Sequence, residues 1–180
     1  MSRVELLESD QAPLLARPYY GADGSASPIT RALAQVPELL EVAMPLLSRA
    51  LGEGAIDLRT KEIVILRVSA RSGCRYCVDT HTVAAWDAGL SAQETAALCD
   101  GELDGDERER ALVAWCDTFA AAPAPVSDEV TSALREHFTD AEIVELAVTA
   151  GVTLMLNRLC TSLELSTSPG TRARLEEARK

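Results

Sequence analysis

Two cysteines and a histidine stand close together in GCRYCVDTH, Gly73 to His81. Cys74 and Cys77 are three residues apart, and Cys77 and His81 are four apart. On an α-helix both spacings share a face, so the three side chains form one stripe. Cys74 falls in the first turn of such a helix, where unpaired amides and the helix dipole favour a thiolate. The thiolate is the reactive form of cysteine, and a CxxC at a helix start is one way to obtain it near neutral pH. A neighbouring histidine can take or relay the proton. Glu62 lies 12 residues before Cys74. If two helices fold as a hairpin about Gly73, Glu62 reaches the stripe, where a carboxylate orients His81 or accepts its proton.

Three other readings compete with a working dithiol. A structural zinc site wants four ligands, usually a second CxxC or a histidine pair. The chain has no second CxxC, and His137 is its only other histidine. Ligand supply therefore favours redox over zinc, and neither a metal nor a cofactor is expected. Buried, inert cysteines would be plausible without Gly73 and His81 beside them. For Cys99, Cys116 and Cys160, scattered at helical positions, that plain reading holds, because cysteine behaves as a small buried hydrophobe. His137 sits at a predicted helix C-terminus, where it meets the dipole, and takes no catalytic role. A thioredoxin-type site is disfavoured, because that motif follows a strand in a βαβ pattern and this chain reads as helical throughout.

The elements that must position these residues can be read in order. Residues 1–28 form an irregular arm punctuated by Pro13, Pro18 and Pro28, with Tyr19 and Tyr20 as candidate anchors. Residues 29–180 form one helical domain. Leu33, Val36, Leu40, Met44 and Leu47 recur at helical spacing, but Pro37 and Pro45 predict a kink or two short helices. Leu58–Ser72 contains EIVILRV, whose β-branched residues would suit a strand. Its stripe of Ile63, Leu66 and Ala70, and the helical patterns on both sides, favour a helix stopped by Gly73. The next helix runs from near Cys74 to Ala88. SAQE at Ser91–Glu94 and TDAE at Thr139–Glu142 are capping boxes. The first opens a short helix ending near Gly101. The second opens a long apolar helix from Ile143 to about Leu165, which is either core or interface. Between them lie a helix over Asp106–Ala121, broken by Pro123 and Pro125, and one from Ser127 to His137. A charged helix starts at Ser168–Pro169. Short connections favour antiparallel neighbours, so the fold class is an all-α helical bundle in a single domain, with a helix hairpin carrying the CxxC.

Bulk properties bound the function. The chain has 180 residues, 47% hydrophobic, with a net charge of −11. Nucleic-acid binding needs a basic face, and anionic membrane surfaces attract basic segments, so neither partner is expected. The first residues lack the apolar core of a signal peptide, and no run of about 18 apolar residues suggests a transmembrane helix. The expected location is the cytoplasm, where thiols are kept reduced. Five cysteines, an odd count, do not suggest a stapled secreted framework.

The order E-x11-C-x2-C-x3-H, carried by Glu62, Cys74, Cys77 and His81, resembles the AhpD-like alkylhydroperoxidases of the carboxymuconolactone decarboxylase superfamily. LRTKEIVILRVSARSGCRYCVDTHTVAAWDAGLS is similar to that family's core, and NRLCTSLEL, from Asn157, resembles its C-terminal helix. The resemblance implies an all-α, AhpD-like fold that forms homo-oligomers. It implies a cysteine-based peroxidase or disulfide reductase acting on alkyl hydroperoxides. In that scheme Cys77 attacks the peroxide and becomes a sulfenic acid, Cys74 resolves it as a disulfide, and Glu62 and His81 form the proton relay. An external dithiol, lipoyl or thioredoxin-type, restores both thiols. In the best-studied branch a histidine precedes the second cysteine and joins the relay. Here that position is Tyr76, which can donate a hydrogen bond but is a poor base near neutral pH. A decarboxylase-like enzyme that uses no thiol, and a non-enzymatic redox sensor or interaction module, are the alternative readings.

Overall fold

The computed structural model describes residues 2–121 and 125–178. Among them there are nine α-helices and no strand, as the sequence predicts. They are α1 Pro28–Leu33, α2 Pro37–Leu51, α3 Leu58–Arg71, α4 Arg75–Asp87, α5 Ala92–Asp100, α6 Glu107–Ala121, α7 Asp128–Arg135, α8 Asp140–Ser162 and α9 Pro169–Glu177. Both capping boxes form, at Ser91 and at Thr139. Of the predicted proline break after α6, Pro123 lies outside the described residues.

Helix α3 is the hub, packed against α4, α5, α6 and α8. Every residue from Thr60 to Ser69 is buried. A helix buried on all sides must be apolar all round or must pair its polar groups, and α3 takes the second course. Ile63, Val64, Ile65, Leu66 and Val68 fill the core. Its three buried charges each meet a partner: Lys61 with Glu145, Glu62 with His81, and Arg67 with Asp117. Burial on every side explains why the segment read half as a strand.

Pro37 and Pro45 have different effects. Pro37 is the first residue of α2, where its missing N–H costs nothing. Pro45 lies inside α2, which continues through it. The missing N–H leaves the Glu41 carbonyl without its helical donor. The Tyr19 hydroxyl donates to that carbonyl at 3.3 Å, while the Tyr20 hydroxyl donates to the Leu7 carbonyl at 2.9 Å. The arm is thus anchored by both tyrosines, and its Ala12 and Ala16 are buried with Ala34 and Leu40.

Helix α8 is long and apolar enough to cross a membrane by length and composition, with a mean hydropathy of 1.5 over its best window. Glu145 and Arg158 interrupt its apolar run, as do Thr149, Thr153 and Asn157. Here its apolar face packs on α3, with Leu146 and Ala150 in the main core. It ends at Ser162, three residues before the predicted limit. Glu164 adopts a left-handed φ of 51°, and the Glu164 and Leu165 amides bond back to the Thr161 and Cys160 carbonyls, as in a Schellman stop.

Candidate active site

The turn between α3 and α4 delivers the first cysteine. Gly73 has φ +67°, a conformation that costs a residue with a Cβ about 1 kcal/mol or more. The Gly73 amide donates to the Ala70 carbonyl and the Cys74 amide to the Ser69 carbonyl, so α3 closes in a Schellman motif. The residue that completes this stop is also the N-cap of α4. The Cys74 Sγ accepts from the Cys77 amide at 3.4 Å. Only Ser72, Gly73 and Cys74 separate the two helices, which fixes the hairpin tightly.

That hairpin brings Glu62 to His81. The His81 Nδ1 and Glu62 Oε2 atoms are 2.9 Å apart, and the Glu62 side chain is only 9% exposed. A carboxylate accepts only, so Nδ1 carries the hydrogen and donates, and Nε2 is left as the basic nitrogen. Cys77 and His81 both line one cavity of about 400 Å³. Its walls come from α1, α2, α3, α4 and α8, and they are mainly apolar, with Ile29, Met44, Leu47, Ile65 and Leu156 among them.

The stripe has a member that sequence reading missed. The Sγ atoms of Cys74, Cys77 and Cys160 all lie within 4.8 Å of one another, and all three residues are buried. Cys160 is buried, as its plain reading has it, but α8 also sets it directly against the CxxC. Hydrogen bonds from the Cys160 and Cys77 thiols, then the Cys77 amide, pull Cys74 down to about 3, against the burial that opposes them. Donating to Cys74 raises Cys160 to about 12. Cys77 is also raised, by hydrogen bonding to its two neighbours and by burial. The hydrogen bonding within the cluster thus favours the thiolate at Cys74 and the protonated form at Cys77 and Cys160. Three sulfurs are one ligand short of a closed tetrahedral zinc site.

Tyr76 is buried between two openings. It borders the large cavity and also a separate cleft of about 160 Å³ that Cys74 and Cys160 line with Thr161 and Glu164. Burial, then the nearby thiol charges, push its hydroxyl above the ordinary range. It stays neutral and can only donate or accept, not act as a base. On the far wall of the cavity the Ser69 hydroxyl donates to Asn157 Oδ1 at 3.0 Å. The Asn157 Nδ2 is buried without a partner among the described residues. Both Asn157 and Cys160 fall in NRLCTSLEL, but its likeness to a C-terminal helix assigned neither of them to the site. Their signal was the polar stripe Thr149, Thr153, Asn157, with Cys160 one turn on, running down an otherwise apolar helix.

Residues 37–118 match the family model for the carboxymuconolactone decarboxylase family. Glu62, Cys74, Cys77 and His81 lie inside the match; Asn157 and Cys160 lie beyond it. The uncharacterised protein YdfG of Bacillus subtilis is 27% identical over 143 residues, which span 76% of this chain and 90% of YdfG. The fold is similar to that of an uncharacterised peroxidase-related protein with an alkylhydroperoxidase AhpD core from Ralstonia eutropha. That pair has a TM-score of 0.84 and 20% identity, over 94% of both chains. It is also similar to the debrominase Bmp8, as a cysteine-to-alanine variant in complex with 2,3,4-tribromopyrrole. There the TM-score is 0.81 and the identity 20%, over 99% of this chain and 100% of Bmp8.

Proposed function

From a chain whose residues 37–118 match the carboxymuconolactone decarboxylase family model and whose fold is AhpD-like, we propose a dithiol peroxidase that reduces organic hydroperoxides. The observation that supports it most is the meeting of Cys77 with the Glu62–His81 pair on one apolar cavity, with Cys74 behind it. His81 Nε2 takes the Cys77 proton as the sulfur attacks the outer oxygen of the hydroperoxide. The O–O bond breaks, and the proton passes from His81 to the departing alkoxide. The products are an alcohol and a Cys77 sulfenic acid. Cys74, already a thiolate, attacks the Cys77 sulfur. The sulfenic oxygen takes a proton and leaves as water, and a Cys74–Cys77 disulfide remains. An external dithiol, lipoyl or thioredoxin-type, reduces it. Glu62 fixes the histidine tautomer and stabilises the cation formed in the first step.

The lining of the cavity selects the substrate class. Apolar walls favour an alkyl or aryl hydroperoxide over hydrogen peroxide, and the unpaired Asn157 amide offers a donor to an oxygen of the bound molecule. The test is peroxide consumption with a dithiol donor, and loss of that turnover in Cys77→Ser. Turnover that survives this substitution, or that survives alkylation of the cysteines, would sink the reading in favour of decarboxylase-like chemistry. A dithiol switch without turnover would instead change sedimentation on oxidation.

A second reading follows from the apolar cavity and the debrominase that shares the fold. The two electrons of the Cys74–Cys77 dithiol could replace carbon–bromine by carbon–hydrogen, releasing bromide and a proton. Bromide release from a brominated pyrrole, without peroxide consumption, would favour it.

A further inference from the structure

The three thiols open on two different sides. Cys77 borders the large cavity with His81, whereas Cys74 and Cys160 border the small cleft beyond Tyr76. All three sulfurs lie within 4.8 Å of one another, and Cys74 and Cys160 share the lining of the cleft. We propose that Cys160 is a third redox thiol, which takes the disulfide from the cavity side to the cleft side. The inference builds on the dithiol cycle proposed above.

The step is a thiol–disulfide exchange. Once Cys74 and Cys77 are joined, Cys160 loses its proton and attacks the Cys74 sulfur. A Cys160–Cys74 bond forms and the Cys74–Cys77 bond breaks. Cys77 leaves as a thiolate and takes up one proton. No electrons enter or leave, so the exchange needs no further oxidant. With all three sulfurs that close, the attacking sulfur already stands beside the bond it breaks. The exchange leaves Cys77 reduced on the substrate side and presents the oxidised pair at an opening flanked by Arg75, whose side chain is 92% exposed. The reducing dithiol then approaches from the cleft and does not compete with hydroperoxide for the cavity.

Arg75 sits between the two cysteines of the motif, which makes the exchange directly readable. Trypsin releases Cys74 in peptide 72–75, Cys77 in 76–108 and Cys160 in 159–172. The reduced protein is treated with one equivalent of cumene hydroperoxide, or with diamide as an oxidant that needs no peroxidase activity. Free thiols are blocked in acid before digestion, and linked peptides are sequenced by tandem mass spectrometry, which separates Cys77 from Cys99. The expected result is two linked pairs in the wild type, 72–75 with 76–108 and 72–75 with 159–172. Cys160→Ala loses the second pair and keeps the first. In Cys77→Ser, diamide gives only the second. Absence of the 72–75/159–172 pair from both the wild type and Cys77→Ser under diamide would overturn the proposal, as would a 76–108/159–172 pair in its place. If the hydroperoxide leaves all thiols intact while diamide yields the second pair, the relay stands and the peroxidase reading falls.

Discussion

Replacing Glu62 tests the centre of the proposed chemistry with a graded outcome. The carboxylate accepts from His81 Nδ1 at 2.9 Å in a nearly dry site. A hydrogen bond to a charged group contributes about 1.5–3 kcal/mol and a neutral one about 0.5–1.5 kcal/mol. Glu62→Gln keeps an acceptor and loses the charge, a difference of about 1–1.5 kcal/mol, which is roughly five- to twelvefold in rate. Glu62→Ala also frees the ring and its tautomer, so it loses the whole contact and approaches the roughly 100-fold lower end of a general base's contribution. The assay is single-turnover loss of thiols after mixing reduced protein with cumene hydroperoxide at neutral pH. Two thiols per chain should vanish at rates ordered wild type, then Gln, then Ala. A Gln variant as fast as the wild type would refute a charge-dependent role for Glu62. An Ala variant no slower than Gln would refute the role in orientation.

Further outcomes follow from other contacts. Lys61 is fully buried, 2.6 Å from Glu145 and donating to the Ala50 carbonyl at 3.0 Å. Because the Glu145 side chain is still 16% exposed, Lys61→Met should cost about 3 kcal/mol, the low end for a broken buried pair. That lowers Tm by about 6–12 °C, with part recovered when Glu145→Leu is added, as scanning calorimetry would show. Cys74 is depressed to about 3, so its charged form should persist as pH falls and disappear only near that value. Ultraviolet thiolate absorbance at pH 7, absent in Cys74→Ser, checks the assignment; a transition near 9 would contradict it. Met44 lines the cavity. Met44→Trp should raise KM for cumene hydroperoxide and leave KM for hydrogen peroxide nearly unchanged in a coupled peroxidase assay.

What the sequence disclosed divides along the range of the forces involved. The hairpin was legible because its determinants are local: Gly73 ends α3, Cys74 starts α4, and helical spacing aligns Cys77 with His81. The contact of Glu62 with His81 also follows once two adjacent helices turn back on each other. Cys160 was not legible in the same way. It is 86 residues beyond Cys74, and its place depends on the rotation of α8 about its own axis. That rotation is set by which side of α8 the core claims, with Leu146 and Ala150 facing α3. The prolines were half legible: the helical run does divide ahead of Pro37, whereas α2 continues through Pro45, where the Tyr19 hydroxyl that meets the Glu41 carbonyl comes from the arm. The apolar length of α8 shows the limit of composition, because one apolar rod meets the requirements of a bilayer and of a protein core alike.

Pro45 leaves one rung missing from α2, and Tyr19 supplies it from outside the helix. A rung borrowed from elsewhere holds only while its lender stays in place. The stretch of α2 beside that rung carries Met44, Leu47, Ser48 and Leu51 into the cavity wall. The shape of the cavity wall is therefore tied to the arm, through Tyr19 as well as through Ser27 in the lining. Selectivity in this fold can drift through changes around Tyr19 while Glu62, His81 and the three thiols remain as they are.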